Sequence, residues 1–166
     1  MYAATNYGRV QPGAAMWIGL ALAAAVTLTP SFADDTKEQA IAKDRQQIAG
    51  TWRIVGLEVN GNPVNPEDAR KLTVVNGPDG TWRLLSNGQE IAKGTNQFDP
   101  TQRPKTIDFK TTEGAGQGQV YQGIYELGEN TRRLCFASPG QPRPTEFASP
   151  AGSQQVLVRF EREKPQ

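Results

Sequence analysis

From residue 51 onward the chain is a succession of short runs of alternating polarity, each closed by a turn signal, and that spacing leaves few folds open. Eight strand candidates follow one another, at 51–59, 71–76, 81–86, 89–98, 105–110, 120–127, 132–137 and 155–162. "GPDG" (77–80) puts Pro78 at the second position of a turn and Gly80 at the fourth, Asn87-Gly88 is a two-residue turn whose geometry matches hairpin twist, and "GENT" (128–131) joins two further runs. Strands this short and this closely spaced pair with their neighbours in sequence. Left open, the resulting sheet would expose two edges; closing it on itself removes both. The expected fold is all-β, an eight-stranded antiparallel up-and-down barrel over residues 50–163, with a two-sheet sandwich as the alternative.

A different period precedes the strands. "DTKEQAIAKDRQQIAG" predicts a helix over 34–49, with Asp35 as cap, Glu38 at the capping-box position, Ile41 and Ile48 on one face and Gly50 at the stop. That helix is placed to close one end of the barrel. Two stretches interrupt the strands. In "NGNPVNPEDARK" (60–71), Asn65 as cap and Pro66 at the first helical position predict one helical turn that could serve as a lid. The other, 138–153, holds Pro139, Pro142, Pro144 and Pro150 and is too long for a hairpin turn, so it is either an ordered functional loop or a slack connector.

Residues 1–33 read as an export signal: Arg9 is the only charge, Trp17 to Leu28 form an apolar run, Pro30 ends it, and Ser31-Phe32-Ala33 offers small residues where a signal peptidase reads. The run is short of the roughly 20 residues a membrane-spanning helix needs, so no stable membrane span is expected after cleavage. The expected destination is periplasmic or extracellular. Losing Arg9 balances the 18 basic residues against the 17 acidic ones, and without a basic stripe nucleic acid is an unexpected partner. Cys135 is the single cysteine, so no internal disulfide can form; beside Leu134 and Phe136 it reads as a buried, inert thiol.

Gly50-Thr51-Trp52 opens the first strand, and "QVLVRFER" ends the last with Val156, Val158, Phe160 and Arg162 on one face. In a closed barrel these two strands are neighbours, which brings the Arg162 guanidinium to the Trp52 indole, a contact of roughly 0.5–2 kcal/mol. Gly50, Trp52 and Arg162 are therefore expected to close the barrel floor. This step resembles the structural signature shared by lipocalins and fatty-acid-binding proteins. More closely, "GTWRIVGLEVNGNPV", "GTNQFDPTQRPKTIDF", "GIYEL" and "LCFASPGQPRPTEF" resemble a family of uncharacterised lipocalin-like domains abundant in planctomycete bacteria, over residues 48–162. The resemblance implies a calycin-like barrel and carries no set of catalytic residues.

The chain has no histidine, which removes histidine-dependent triads and the common zinc sites. "GAGQG" (114–118) precedes a strand and lacks the helix that would hold a phosphate, and no cofactor or metal motif is found. Asp99, Asp108, Glu126 and Glu146 are the carboxylates that could pair for acid–base work, but Asp99 before Pro100 reads as a turn cap and Asp108 as an outward residue. An enzyme is not expected. The expected function is an exported binding module for a small, mostly apolar ligand, lined by Phe98, Phe109, Tyr121, Tyr125 and Phe136 with Arg103 and Arg143 at the rim. The alternative is an envelope or extracellular structural or protein-interaction domain with a filled barrel, whose loops 60–70 and 138–153 contact another macromolecule. Gly56 and Gly94 are positions where a bulge would reverse strand parity.

Overall fold

The computed structural model describes residues 32–164. Helix α1 (Phe32–Ile48) leads into β1 (Gly50–Val59), followed by β2 (Asn62–Pro63), α2 (Pro66–Ala69), β3 (Leu72–Asn76), β4 (Thr81–Ser86), β5 (Gln89–Asp99), β6 (Lys105–Gly114), β7 (Val120–Leu127), β8 (Thr131–Ala137) and β9 (Gln155–Arg162). From β3 to β9 each strand pairs antiparallel with the next, and β1 pairs with β3 on one side and β9 on the other. The ring is closed. Eight strands form the expected barrel, and the two-residue β2 is a return of β1 through Asn60-Gly61, both at positive φ (52° and 82°). Residues 60–63, expected within an interrupting stretch, thus form a hairpin turn and its return strand.

The expected single helical turn is α2, and Asn65 caps it by accepting from the Glu67 N–H at 2.8 Å. α1 begins at Phe32, ahead of the expected cap at Asp35, because Phe32 and Ala33 extend the helix upstream. Asp34 and Asp35 therefore lie in its first turn, where the positive end of the helix dipole still favours them. The rest of the expected export signal lies outside the described residues. No described helix is long and apolar enough to cross a membrane.

Three irregularities, one of them an extra Ile91 on β5 opposite β4, decide which side chains face inward. In the β1–β9 ladder Val55 is an extra residue next to Gly56, so the inward set on β1 shifts from Trp52 and Ile54 to Leu57. Beside Gly94 the extra residue lies on β6 rather than on β5. A Cβ at Gly94 would sit 1.8 Å from the Lys110 carbonyl oxygen and 2.8 Å from the Trp82 ring, so glycine is what lets two strands and an indole meet there.

The core has two inner clusters and one outer cluster. Trp52, Ile54, Ala69, Val158 and Phe160 form one inner group, and Ile48, Phe98, Ile107 and Tyr125 the other, so both helices contribute to the interior. Outside the barrel, Ile124, Cys135 and Leu157 form a row across β7, β8 and β9, covered by Phe147 of the 138–153 segment. The Cys135 thiol donates to the Ala148 carbonyl at 3.1 Å, and burial raises its pKa above the ordinary thiol value. An aromatic thiol reagent should therefore react with Cys135 only as fast as denaturant opens the protein. Rapid modification of the native protein would show that the segment does not stay packed over β8.

Candidate functional site

α1 covers the barrel end where β1 begins and β9 finishes. The Arg162 guanidinium carbon stands 4.2 Å from the centre of the Trp52 ring, and its Nη1 donates to the Ala49 carbonyl at 2.8 Å while Nη2 donates to that of Gln47. Trp52, fully buried, donates through Nε1 to the Ile48 carbonyl at 2.7 Å. Helix-terminal carbonyls lack partners within the helix and carry its negative dipole end, so a cationic fork satisfies both needs. Gly50 completes this corner: at φ +113° a side chain would be strained, and a Cβ would lie 3.0 Å from Arg162 Nη1.

A second arginine lies beside the first. Arg132 starts the inward row of β8 that continues with Leu134 and Phe136, and its guanidinium is held between Phe160 (4.1 Å) and Trp52 (5.0 Å). Burial, and next the charge of Arg162, push its pKa down to about 9. Its Nε meets no acceptor. The sequence carries the signal for this residue, since Arg132 shares parity with Leu134 and Phe136, but "TRR" reads locally as an exposed charge pair. On the helix side, Asp44 is the one buried carboxylate among the described residues, accepting from the Tyr125 hydroxyl at 2.6 Å and from Lys105 Nζ at 2.7 Å.

The five expected lining residues divide by depth. Phe98 (7% exposed) and Tyr125 (2% exposed) lie 5.5 Å apart, edge to face, packed with Ile48 and Ile107 beneath α1. They belong to the covered end. Phe109, Tyr121 and Phe136 form a contiguous group nearer the other end: Phe109 stacks on Tyr121 at 4.9 Å and meets Phe136 edge-on at 5.0 Å, with Trp82 edge-on to Phe109 at 5.9 Å. Phe109, Tyr121 and Phe136 are only partly buried, as are Leu57, Leu72, Val74 and Val156 on the remaining strands.

The two expected rim arginines do not share a rim. Arg103 is in the β5–β6 turn at the covered end, where its Nη1 donates to the carbonyls of Pro100 (3.0 Å) and Gln102 (2.8 Å). Arg143 lies on the outer face, donating to the Ile107 and Gly123 carbonyls at 3.0 and 2.7 Å. It also pairs with Asp108 at 2.6 Å, a contact that is ionic without hydrogen-bond alignment. Both fix loops. Three of the four candidate carboxylates are likewise engaged: Asp108 by Arg143, Asp99 by Thr101 and Lys37, which hold its carboxyl below the usual range, and Glu126 by Arg133. Among the described residues no cluster of acidic or thiol side chains is arranged to hold a metal. Two surface hollows, of about 450 Å³ (Val120, Gln122, Gly140, Gln141, Pro142) and about 300 Å³ (including Val55, Arg133, Arg159 and Glu161), are lined mainly by outward-facing or loop residues.

Comparison with protein-family models, curated proteins and solved structures finds no match.

Arg162→Ala should lower stability by about 2–4 kcal/mol, combining the ring contact with two charge-assisted hydrogen bonds, and Arg162→Lys should recover less than half of it. Urea unfolding curves measure both. Tyr125 yields a pH signature, because burial, and then the Asp44 carboxylate it donates to, push its phenol far above the ordinary 10.0. The folded state keeps a proton that the unfolded chain releases, so this stabilisation is complete below pH 10 and is lost as pH rises beyond it. Tyrosinate absorbance should show one phenol ionising only with alkaline unfolding, and Tyr125→Phe should delete that late step.

Proposed function

We propose that this chain is an exported, non-enzymatic binding module whose lipocalin-like barrel takes a small, mostly apolar molecule at the end opposite α1. The observation that carries the reading is the aromatic wall of Phe109, Tyr121 and Phe136, which faces inward yet keeps part of its surface in solvent. Apolar surface covered by a ligand is stabilised by roughly 25 cal/mol per Å². Leu57, Leu72, Val74 and Val156 give a facing aliphatic side, and α2 buries Ala69 against the same interior. The absence of histidine favours binding over catalysis, and the run from Trp17 to Leu28 with Ser31-Phe32-Ala33 favours export.

A second reading, an envelope or extracellular interaction domain with a filled barrel, is favoured by the rings touching one another and by the position of both surface hollows outside the barrel. Native mass spectrometry of the protein purified from its own source separates the two, together with fluorescence of the neutral dye N-phenyl-1-naphthylamine. A retained molecule or saturable dye binding is expected, and Phe136→Ala should weaken the dye roughly five- to thirtyfold, about 1–2 kcal/mol. No adduct and no dye binding would replace the carrier by the interaction domain.

A further inference from the structure

The covered end of the barrel holds positive charge without a matching negative one. Arg132 is 6% exposed, its buried Nε has no acceptor, and its guanidinium lies against the Phe160 and Trp52 rings. Arg162, on the same indole, gives its donors to main-chain carbonyls. Among the described residues no ion pair joins either guanidinium to a carboxylate. Asp44 is already engaged by Tyr125 and Lys105. A second unmatched donor points the same way: Asn76, 5% exposed and opposite Gly50 and Trp82 in the ladders, leaves its Nδ2 without an acceptor. Every one of these orphans is a donor. A buried cation is costly unless a partner of opposite charge meets it.

We propose that Arg132 anchors an anion subsite inside the barrel, filled by a carboxylate- or sulfonate-like group. Two sources share that chemistry: the head group of the apolar ligand, and a small free anion. Only the first rests on the carrier reading. The inner face of β8 suits it, since Phe136, Leu134 and Arg132 run in that order from the aromatic wall to the covered end, a span of about 13 Å at strand rise. An elongated molecule with an apolar body on Phe136 and an acceptor at one tip matches that span.

Two dyes with one skeleton test this: neutral N-phenyl-1-naphthylamine and its sulfonate, 1-anilinonaphthalene-8-sulfonate. On the wild-type protein, formate should compete with the sulfonate dye and not with the neutral one, with fluoride replacing formate at constant ionic strength. Arg132→Met should weaken the sulfonate dye tenfold or more and change the neutral dye less than twofold. A merely structural arginine would shift both equally. If neither dye binds but formate raises the melting temperature of the wild type and not of Arg132→Met, the subsite stands for a free anion and the carrier reading fails. If both dyes bind, formate competes with neither and the variant shifts them alike, the subsite is overturned while the carrier reading stands. If neither dye binds and formate has no effect, both fall. Should Arg132→Met not fold, formate on the wild type alone decides, by competition where the sulfonate dye binds and by melting temperature where neither does.

Discussion

A guanidinium lying on an indole is the contact through which the two ends of this sheet and its helix become one object. β1 and β9 are the first and last strands, and their ladder runs from Trp52 opposite Arg162 to Val59 opposite Val156. The backbone ladder alone would fix two ribbons side by side. What ties them to α1 is that both residues use their polar atoms on the helix end, Trp52 on Ile48 and Arg162 on Gln47 and Ala49. Three carbonyls that a helix terminus leaves without internal partners are satisfied at one corner. The closing pair therefore also caps the helix, and the covered end of the barrel is defined by it.

The consequence is an interior whose polarity changes along its axis. Near α1 the inward positions include Arg132, Arg162, Asn76 and Asn96 among large rings, with Asp44 and Lys105 at the helix contact. Toward the other end the inward positions include Leu57, Leu72, Phe136 and Val156, with no charge among them. Most globular interiors keep ionised groups at the periphery. Here they are gathered at the closed floor, held by ring faces and main-chain carbonyls, while the half that meets solvent is apolar. That inversion gives the barrel a direction, and a molecule entering from the uncovered end would meet greasy walls first and donors last.

Strand positions were legible because they rest on local physics: alternation of side chains and turns with obligatory residues. Asn87-Gly88 takes the positive φ values its turn type needs, and 81–86, 120–127 and 155–162 are strands with those limits. Depth was not legible. Phe98, Phe109, Tyr121 and Tyr125 all face inward, yet alternation says nothing about which rings lie under the helix and which lie above. Phe98 and Tyr125 are under it because the register of β5, β6 and β7 sets them level with Ile48. Nor could local pattern say where Arg143 points, since its acceptors are on strands that precede it by 20 and 36 residues. Arg132 went unremarked for the opposite reason, because a pair of arginines at a strand start is locally ordinary and becomes unusual only when the first of them is buried.

The 138–153 segment shows how a recognition-like sequence can serve the scaffold. Ile124, Cys135 and Leu157 face away from the barrel interior, so β7, β8 and β9 would present an apolar strip to solvent if left bare. An open strip of that kind invites association. Phe147 covers it, Arg143 pins the segment to the Ile107 and Gly123 carbonyls, and Ser149 donates to Gln155 at its far end. Four prolines reduce the conformational entropy lost when so long a connection is laid down in one shape. Arg143, the arginine of "PRPTEF" expected at a binding rim, is thus a fastening for a cladding. Arg143 is already matched, and of the unmatched donors two lie inside, at Arg132 and Asn76. Chemical capacity in this fold is concentrated in the barrel interior, on the side of the sheet that the segment does not touch.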